Sequence, residues 1–169
     1  MESEILPDVL QPGLSVVFCG TAAGGTSAAT GCYYAHSSNK FWTVLAEVGL
    51  TSRKLKPREY SSLLDFGIGL TDLCKDQSGN DNVIRPLAEH RTMLRSKIES
   101  FQPKFLAFTS AEAGKRYFGR SRDLGLQPEK IFATAIYVLP STSLMADWNW
   151  EKTGHHWMDF AQCMKEGIS

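Results

Sequence analysis

The chain has 169 residues, 43% of them hydrophobic, and its eighteen lysines and arginines balance eighteen aspartates and glutamates. This neutrality excludes a global field that attracts nucleic acid or an anionic membrane, so any polyanion site is local. The length favours one domain over residues 1–169, and the acidic, proline-broken N-terminal stretch with no long apolar run predicts a soluble cytoplasmic protein without a membrane partner.

The first half of the chain alternates strand and helix patterns. Residues 14–20 (LSVVFCG) form an apolar run that predicts a buried strand. Ser37 or Ser38 is expected to cap a helix, and Pro57 suits the first turn of another. Residues 66–74 (FGIGLTDLC) then predict a second strand, in which the glycines indicate close approach of another backbone segment.

The second half continues this alternation. Pro86 opens a longer helix, and residues 104–110 (KFLAFTS) predict a third strand. Thr109 and the glutamate three residues later have capping-box spacing, which places a helix directly after that strand. Residues 131–140 predict a fourth strand, with an interrupted strand as the alternative, and a last helix is expected from about Thr153.

Strands that alternate with helices predict a three-layer α/β/α fold with a central, mostly parallel four-stranded sheet. Functional sites in such folds gather at the carboxyl ends of the strands. Polar or glycine-rich segments lie there after Cys19, at Thr71 and Asp72, and at residues 140–143 (PSTS). We therefore expect these three segments to meet in space.

Four cysteines raise the question of a metal or iron–sulfur site. Cys19, Cys32, Cys74 and Cys163 lie far apart, and no C-x-x-C motif occurs. The spacing favours reduced, mostly buried thiols, with no metal and no iron–sulfur cluster.

Residues 20–31 (GTAAGGTSAATG) match the glycine spacing of a P-loop, but Thr26 stands where that motif needs its lysine. Without a lysine to neutralise phosphate charge, an NTP-binding switch protein is the weakest hypothesis. Twelve small residues in succession instead indicate a surface that another molecule approaches closely.

Three segments of the chain together resemble a known protein family. They are YYAHSSNKFW at residues 33–42, VVFCG before it and LLDFGIGLTDL after it. The chain resembles the uracil-DNA glycosylase superfamily, in particular the mismatch-specific uracil and thymine glycosylases. In that family a strand ends in Gly-Ile-Asn-Pro-Gly, an aromatic-Ala-His segment precedes Asn and Phe-Trp, and Asn-Pro-Ser follows the last strand.

Two departures from the family pattern change its chemistry. Ala22 and Ser141 stand where the family has asparagines, and an alanine methyl can neither donate nor accept a hydrogen bond. These departures are more similar to the hypoxanthine-DNA glycosylase branch. That resemblance implies that Asn39, ahead of the Phe-Trp pair, is the catalytic residue.

Cleavage of an N-glycosidic bond builds positive charge on the sugar and negative charge on the departing base. Asn39 is the first choice to orient the attacking water and Asp72 is the reserve as a base. A helix-terminal role for Asn39 and a solvated strand end for Asp72 are the structural alternatives. The expected base-binding residues are Gly20, Thr21, Ala22, Tyr34, His36 and Ser110, with the tyrosine ring stacking on an everted base. A core aromatic and a histidine bonded to backbone are the structural alternatives for Tyr34 and His36.

DNA binding also needs phosphate contacts and a side chain to fill the vacated stack. The hydroxyls and amides of Ser141, Thr142 and Ser143 suit phosphate, and Leu144 and Met145 resemble a wedge, although an ordinary turn is the alternative. The tryptophans of the following DWNW run (residues 147–150) are expected to pack into the protein.

Together, these sequence features predict a monofunctional glycosylase that removes uracil from single- or double-stranded DNA by hydrolysis. The protein is expected to act as a monomer, without a metal or cofactor. No lysine stands at a motif position to form a Schiff base, so lyase activity is not expected. The alternatives are a glycosylase for hypoxanthine or mismatched thymine, and a non-catalytic binder of damaged or single-stranded DNA.

Overall fold

A computed structural model describes residues 4–167, so the first three residues of the acidic N-terminal stretch lie outside the described part. Within it the strands form one five-stranded sheet in the order β2-β1-β3-β5-β4. The strands are Val16–Gly20 (β1), Ile68–Asp72 (β2), Phe105–Phe108 (β3), Gly125–Ile131 (β4) and Thr134–Val138 (β5). The first three strands and β5 run parallel, whereas β4 is antiparallel to β5.

The predicted α/β class is confirmed, and the predicted count of four strands is wrong. Residues 131–140 were expected to form one strand, but the chain turns at Phe132, which has a φ of 51°, and β4 pairs back onto β5. Pro128 and the charged residues of β4 are untypical of a buried strand, so the sequence did not predict this one. Both are tolerated because β4 lies at the edge of the sheet.

Helices cover both faces of the sheet. They are Gly25–Thr30 (α1), Phe41–Glu47 (α2), Ala88–Phe101 (α3), Ala111–Phe118 (α4), Trp150–Thr153 (α5) and His155–Glu166 (α6), with 3-10 helices at Pro57–Phe66 and Leu144–Asn149. The small-residue loop of residues 20–31 therefore contains a short helix. Of the helices within residues 4–167, none combines the length and apolar character needed to cross a membrane.

Three predicted helix starts are corrected. The residue before α2 is Lys40, and the side-chain oxygen of Asn39, rather than Ser37 or Ser38, accepts the first amide of the helix at 3.0 Å. The cap of α4 is Ser110 rather than Thr109, because its Oγ accepts from the third amide of the helix at 3.0 Å. The final helix begins at His155, and the separate short helix α5 precedes it.

Alternate side chains of the strands enter two cores, one on each face of the sheet. On one face Phe18 packs against the rings of Phe41 in α2 and Trp157 in α6, each at 5.6 Å between centroids. On the other face Val17 and Leu106 belong to the core that includes apolar residues of α3 and α4. The three-layer arrangement is therefore present as predicted.

The N-terminal segment lies across β2. Val9 and Leu70 exchange two backbone hydrogen bonds of 2.9 Å, and a Cβ atom on Gly69 would lie 2.6 Å from the carbonyl oxygen of Val9. Only glycine allows this approach, which is the close backbone contact that the strand glycines predicted. The contact also brings Asp8 next to the end of β2.

All four cysteines are free thiols. Cys19 and Cys74 are buried, whereas Cys32 and Cys163 are partly exposed. Burial raises the pKa of Cys19 well above its ordinary value and that of Cys74 to about 11, so both buried thiols keep their protons near neutral pH.

Candidate active site

The carboxyl ends of the parallel strands open onto a cavity of about 400 Å³. Three strands end side by side here, because Gly20 pairs with Asp72 and Cys19 pairs with Phe108. All of the site residues predicted from the sequence line this cavity. They are Gly20, Thr21, Ala22, Tyr34, His36, Asn39, Asp72, Ser110, Ser141, Thr142, Ser143, Leu144 and Met145. The three segments that the sequence singled out therefore meet around one cavity.

Gly20, the last residue of β1, is surrounded by polar side chains. A Cβ atom at this position would lie 2.8 Å from Oδ1 of Asp72, 3.5 Å from Oη of Tyr34 and 3.6 Å from Oγ1 of Thr109. Real Cβ atoms do not approach another atom closer than 3.0 Å. Glycine is therefore the residue that lets these three oxygens converge at the end of the strand.

Asp72 is a buried carboxyl group that lines the cavity. Its side chain belongs to a residue that is only 6% exposed, and burial raises its pKa from the ordinary 3.8 to about 6, although Lys75 opposes that rise. Among residues 4–167, no side-chain or backbone hydrogen bond contributes to the pKa of this carboxyl group, which is set by burial and by the charges of Lys75, Asp8 and Lys97. A carboxyl group that lines a cavity and whose pKa lies near neutrality is suited to accept a proton from water.

A network that the sequence did not predict lies next to Asp72. Lys75 is 8% exposed, and its Nζ lies 3.0 Å from Oδ1 of Asp8, to which Thr71 also donates at 2.6 Å. Lys97 lies 2.7 Å from the other oxygen of this aspartate. Burial raises the pKa of Asp8, but the two lysines and the threonine outweigh that effect and lower it. Lys75 thus pairs with one aspartate and lowers the pKa of the other.

Tyr34 lines the cavity with one side of its ring already covered. Its ring stacks on Phe41 with centroids 3.9 Å apart and planes 18° apart, and its hydroxyl lies 2.9 Å from that of Thr109. The residue holds a φ of 49°, a left-handed conformation that a tyrosine rarely adopts and that the surrounding contacts must stabilise. Only the opposite ring face is available to stack on a ligand.

The contacts of His36 define its neutral tautomer. The backbone amide of Ser38 donates to Nδ1 at 3.2 Å, and the hydroxyl of the same serine lies 2.7 Å from this nitrogen. Because Nδ1 accepts, the neutral imidazole carries its proton on Nε2. His36 is exposed at the cavity, so Nε2 can act as a donor to a ligand.

Asn39 is held in one orientation by two donors. Its Oδ1 accepts from the backbone amide of Phe41 at 3.0 Å and from the hydroxyl of Thr142 at 2.7 Å. Both acceptor positions of the amide oxygen are therefore occupied, and the side chain can offer only the two N–H donors of Nδ2. An amide can orient water by accepting one of its hydrogens or by donating to its oxygen, and only the second is open to Asn39.

The turn after β1 presents backbone rather than side chains. The carbonyls of Gly20, Thr21 and Ala23 accept hydrogen bonds of 2.8, 2.8 and 2.9 Å from amides of the segment after β2. In a trans peptide the N–H points in the opposite direction to the carbonyl of the preceding residue. The amides that follow these three carbonyls therefore point away from the segment after β2. Ala22 lines the cavity with a methyl group that offers no hydrogen bond.

The loop after β5 forms another side of the cavity. Ser141 donates to Oγ of Ser143 at 3.0 Å and accepts the amide of the same residue at 3.1 Å. The hydroxyl of the buried Thr142 is committed to Asn39, so it is turned inward. Leu144 and Met145 are 60% and 77% exposed at the cavity edge.

The two tryptophans of the DWNW run differ in how far they are buried. Trp150 is partly buried and packs against the core, as expected. The expectation is wrong for Trp148, which is 85% exposed. The residue lies in the same 3-10 helix as Leu144 and Met145, and this helix presents it outward.

Sequence reasoning missed Thr109 and Asp81, which also line the cavity. Burial raises the pKa of Asp81, although a hydrogen bond from Thr21 opposes the rise. Arg116 donates to the carbonyl of the same aspartate at 2.7 Å and fixes this loop to α4. Asp81 belongs to a polar loop, residues 76–82 (DQSGNDN), that follows β2. Its position at the carboxyl end of that strand was the available signal, since such loops build the sites of parallel sheets.

One comparison with known proteins identifies the family, and another shows a similar fold. Residues 7–162 match the family model of the uracil DNA glycosylase superfamily. The fold is also similar to a solution NMR structure of a protein from Methanosarcina acetivorans that is provisionally named a uracil DNA glycosylase. That match has a TM-score of 0.58 at 15% sequence identity and covers 97% of each chain.

Proposed function

The chain belongs to the uracil DNA glycosylase superfamily, and from this premise we propose that it hydrolytically excises uracil from DNA and leaves an abasic site. One observation carries the proposal. A turn without bulky side chains and a buried carboxyl group with a raised pKa, Asp72, line the same cavity of about 400 Å³. The first suits the capture of a base against the main chain, and the second suits the activation of water.

The base is bound by stacking and by donors. It leaves the duplex, enters the cavity and stacks on the free face of Tyr34, while Phe41 supports the opposite face. Backbone amides of the turn after β1 and Nε2 of His36 donate to its carbonyl oxygens. These donors stabilise the negative charge that grows on the base as it leaves.

The attacking water is activated by Asp72 and held by Asn39. Because the amide oxygen of Asn39 is already occupied, its Nδ2 donates to the water oxygen while the carboxylate of Asp72 accepts the proton. The water oxygen bonds to C1′ of the deoxyribose, the C1′–N bond breaks, and its electron pair leaves on the base. No lysine lines the cavity within residues 4–167, which supports a monofunctional reaction without a Schiff base.

The surrounding loop holds the DNA. Ser141 and Ser143 bond to backbone phosphate, and Leu144 and Met145 fill the space that the everted nucleotide leaves in the stack. Their exposure at the cavity edge supports this role, because a wedge must reach beyond the protein surface.

Hypoxanthine is the second candidate substrate. Like uracil it carries an N–H next to a carbonyl, so the same donors and the carboxylate acceptor Asp81, which also lines the cavity, suit its edge. The cavity volume of about 400 Å³ favours this candidate, because it leaves room for a two-ring base.

Labelled oligonucleotides that contain uracil, hypoxanthine, thymine opposite guanine or no lesion test these proposals. After incubation and alkali treatment, strand breaks only at uracil support the first proposal, and breaks only at hypoxanthine support the second. Tight binding of the lesion without breaks identifies a non-catalytic binder and contradicts both. The assay is run on single and double strands, since either is an expected substrate.

A further inference from the structure

Trp148 is the most exposed large apolar side chain among residues 4–167, at 85%. Its backbone is nevertheless fixed by its neighbours. Lys40 forms an ion pair with Asp147 and lies over the ring of Trp150 at 4.4 Å. Contacts on both sides of Trp148 therefore hold the segment in place while this one ring remains in solvent.

The geometry of the 3-10 helix groups its side chains into rows. Residues three apart share a face in a 3-10 helix, so Met145 and Trp148 form one row. Asp147, in a different row, makes the contact with Lys40. The row of Met145 and Trp148 is the more exposed one, at 77% and 85%, against 60% for Leu144 in the row of Asp147.

This exposed row continues the edge of the cavity. Met145 lines the cavity, and Trp148 stands roughly 6 Å further along the helix axis, given a rise of about 2 Å per residue. Bases in one strand of DNA follow each other at about 3.4 Å. The separation of the two side chains along the helix therefore matches one to two base steps.

We propose that Trp148 is a stacking platform for an unpaired nucleobase that flanks the everted nucleotide. The proposal rests on one part of the proposed function, the binding of DNA with an everted nucleotide, and not on the excision step. An aromatic ring stacks on any base through its π-face, so the contact favours single-stranded or locally opened DNA without reading its sequence. This contact would also give a role to the DWNW run, which takes no part in the excision chemistry.

Tryptophan fluorescence tests the platform without requiring excision. The other tryptophans within the chain are shielded, with Trp42 and Trp157 at 3% and 1% exposure and Trp150 partly buried, so the solvent-exposed emission comes from Trp148. Titration of the full chain with a single-stranded oligonucleotide is expected to quench this emission. Trp148→Phe should remove the change while preserving most of the affinity.

Binding of the same oligonucleotide gives the second readout. Trp148→Ala should weaken it about 5- to 100-fold, and the melting temperature should stay unchanged because the side chain is exposed. Phe132→Ala is the matched control. Phe132 is a 63% exposed aromatic in the turn between β4 and β5, at the end of the sheet away from the cavity, so its loss should leave affinity unaltered.

Two results would overturn the proposal. Emission that saturating DNA leaves unchanged would show that no base contacts Trp148. Concentration-dependent self-association that Trp148→Ala abolishes would assign the ring to a second copy of the chain. If DNA quenches the emission and yet no base is released from any substrate, the excision proposal fails while the stacking platform stands.

Discussion

Replacement of Asp72 by asparagine should stabilise the protein and remove its activity. In the unfolded chain this carboxyl loses its proton near its ordinary pKa of 3.8, whereas burial raises the folded pKa to about 6. The folded state therefore binds more protons than the unfolded state between these values, and stability falls as the pH rises through that window. A rise of this size in the pKa corresponds to about 3 kcal/mol in the free energy of unfolding, and this contribution is lost in full above pH 6.

Asparagine has nearly the same shape and no charge, so Asp72→Asn should recover most of that 3 kcal/mol at pH 7.5. For a chain of this length the gain corresponds to a melting temperature that is about 6 to 12 °C higher. Below about pH 3.8 the two proteins should melt alike, since the carboxyl is then protonated in both states. Thermal melts from pH 3 to 8 measure the difference directly.

The same substitution should abolish excision, because an amide cannot accept the proton of the attacking water. In the wild type the single-turnover rate should rise with an apparent pKa of about 6 and be about tenfold lower at pH 5 than at pH 7. Asp8→Asn is the matched control for stability. The pKa of Asp8 is lowered, so its contribution is present above pH 3.8, and its loss should destabilise the protein at neutral pH.

An Asp72→Asn variant that melts at or below the wild-type temperature at pH 7.5 would refute the reasoning from burial. A variant that keeps the wild-type excision rate would refute the assignment of this carboxyl as the base. The two readouts are separate, since a purely structural carboxyl can gain stability on neutralisation without any effect on chemistry.

Three further substitutions test the surrounding geometry. Gly20→Ala places a Cβ atom 2.8 Å from Oδ1 of Asp72, so displacement of the carboxylate should lower the single-turnover rate by about 100-fold or more. Thr142→Val removes the hydroxyl that orients Asn39, and the rate should fall about 10- to 100-fold with a stability loss near 1 kcal/mol. Lys75→Met removes a charge that lowers the pKa of Asp72, so the midpoint of the pH–rate profile should move above 6 while the free energy of unfolding falls by about 3 to 5 kcal/mol.

Conservative variants control these experiments. Gly24→Ala adds a Cβ atom with no protein atom within 4 Å and leaves the Asp72 carboxylate in place, so its loss of rate should be much smaller than that of Gly20→Ala. Thr142→Ser keeps the hydroxyl and should retain most of the rate. Equal losses in Thr142→Ser and Thr142→Val, or an unmoved pH midpoint in Lys75→Met, would contradict the roles assigned here.

The alternation of apolar runs with amphipathic segments predicted the fold class, because buried parallel strands are marked by their own residues. β4 was missed since an edge strand is only half buried and tolerates Pro128 and charges. Helix caps were misplaced by one to three residues for a related reason. Several polar residues stand near each helix start, and tertiary contacts such as that of Thr142 with Asn39 select among them.

The candidate site was predictable where residues follow strand ends. Asp72 and the turn after β1 occupy such positions, and topology alone brings them together. The orientation of Asn39 was not predictable, because the partner that occupies its oxygen lies 103 residues away in the chain. The same holds for Lys75, whose partner Asp8 reaches it through the N-terminal segment across β2.

The most direct test of the central claim is chromatographic detection of free base released from a uracil-containing oligonucleotide under single-turnover conditions. The wild type should release one equivalent of uracil, whereas Asp72→Asn should bind the same oligonucleotide with similar affinity and release none. A wild-type protein that leaves uracil and hypoxanthine attached, or an Asp72→Asn variant that releases uracil at the wild-type rate, would contradict the account.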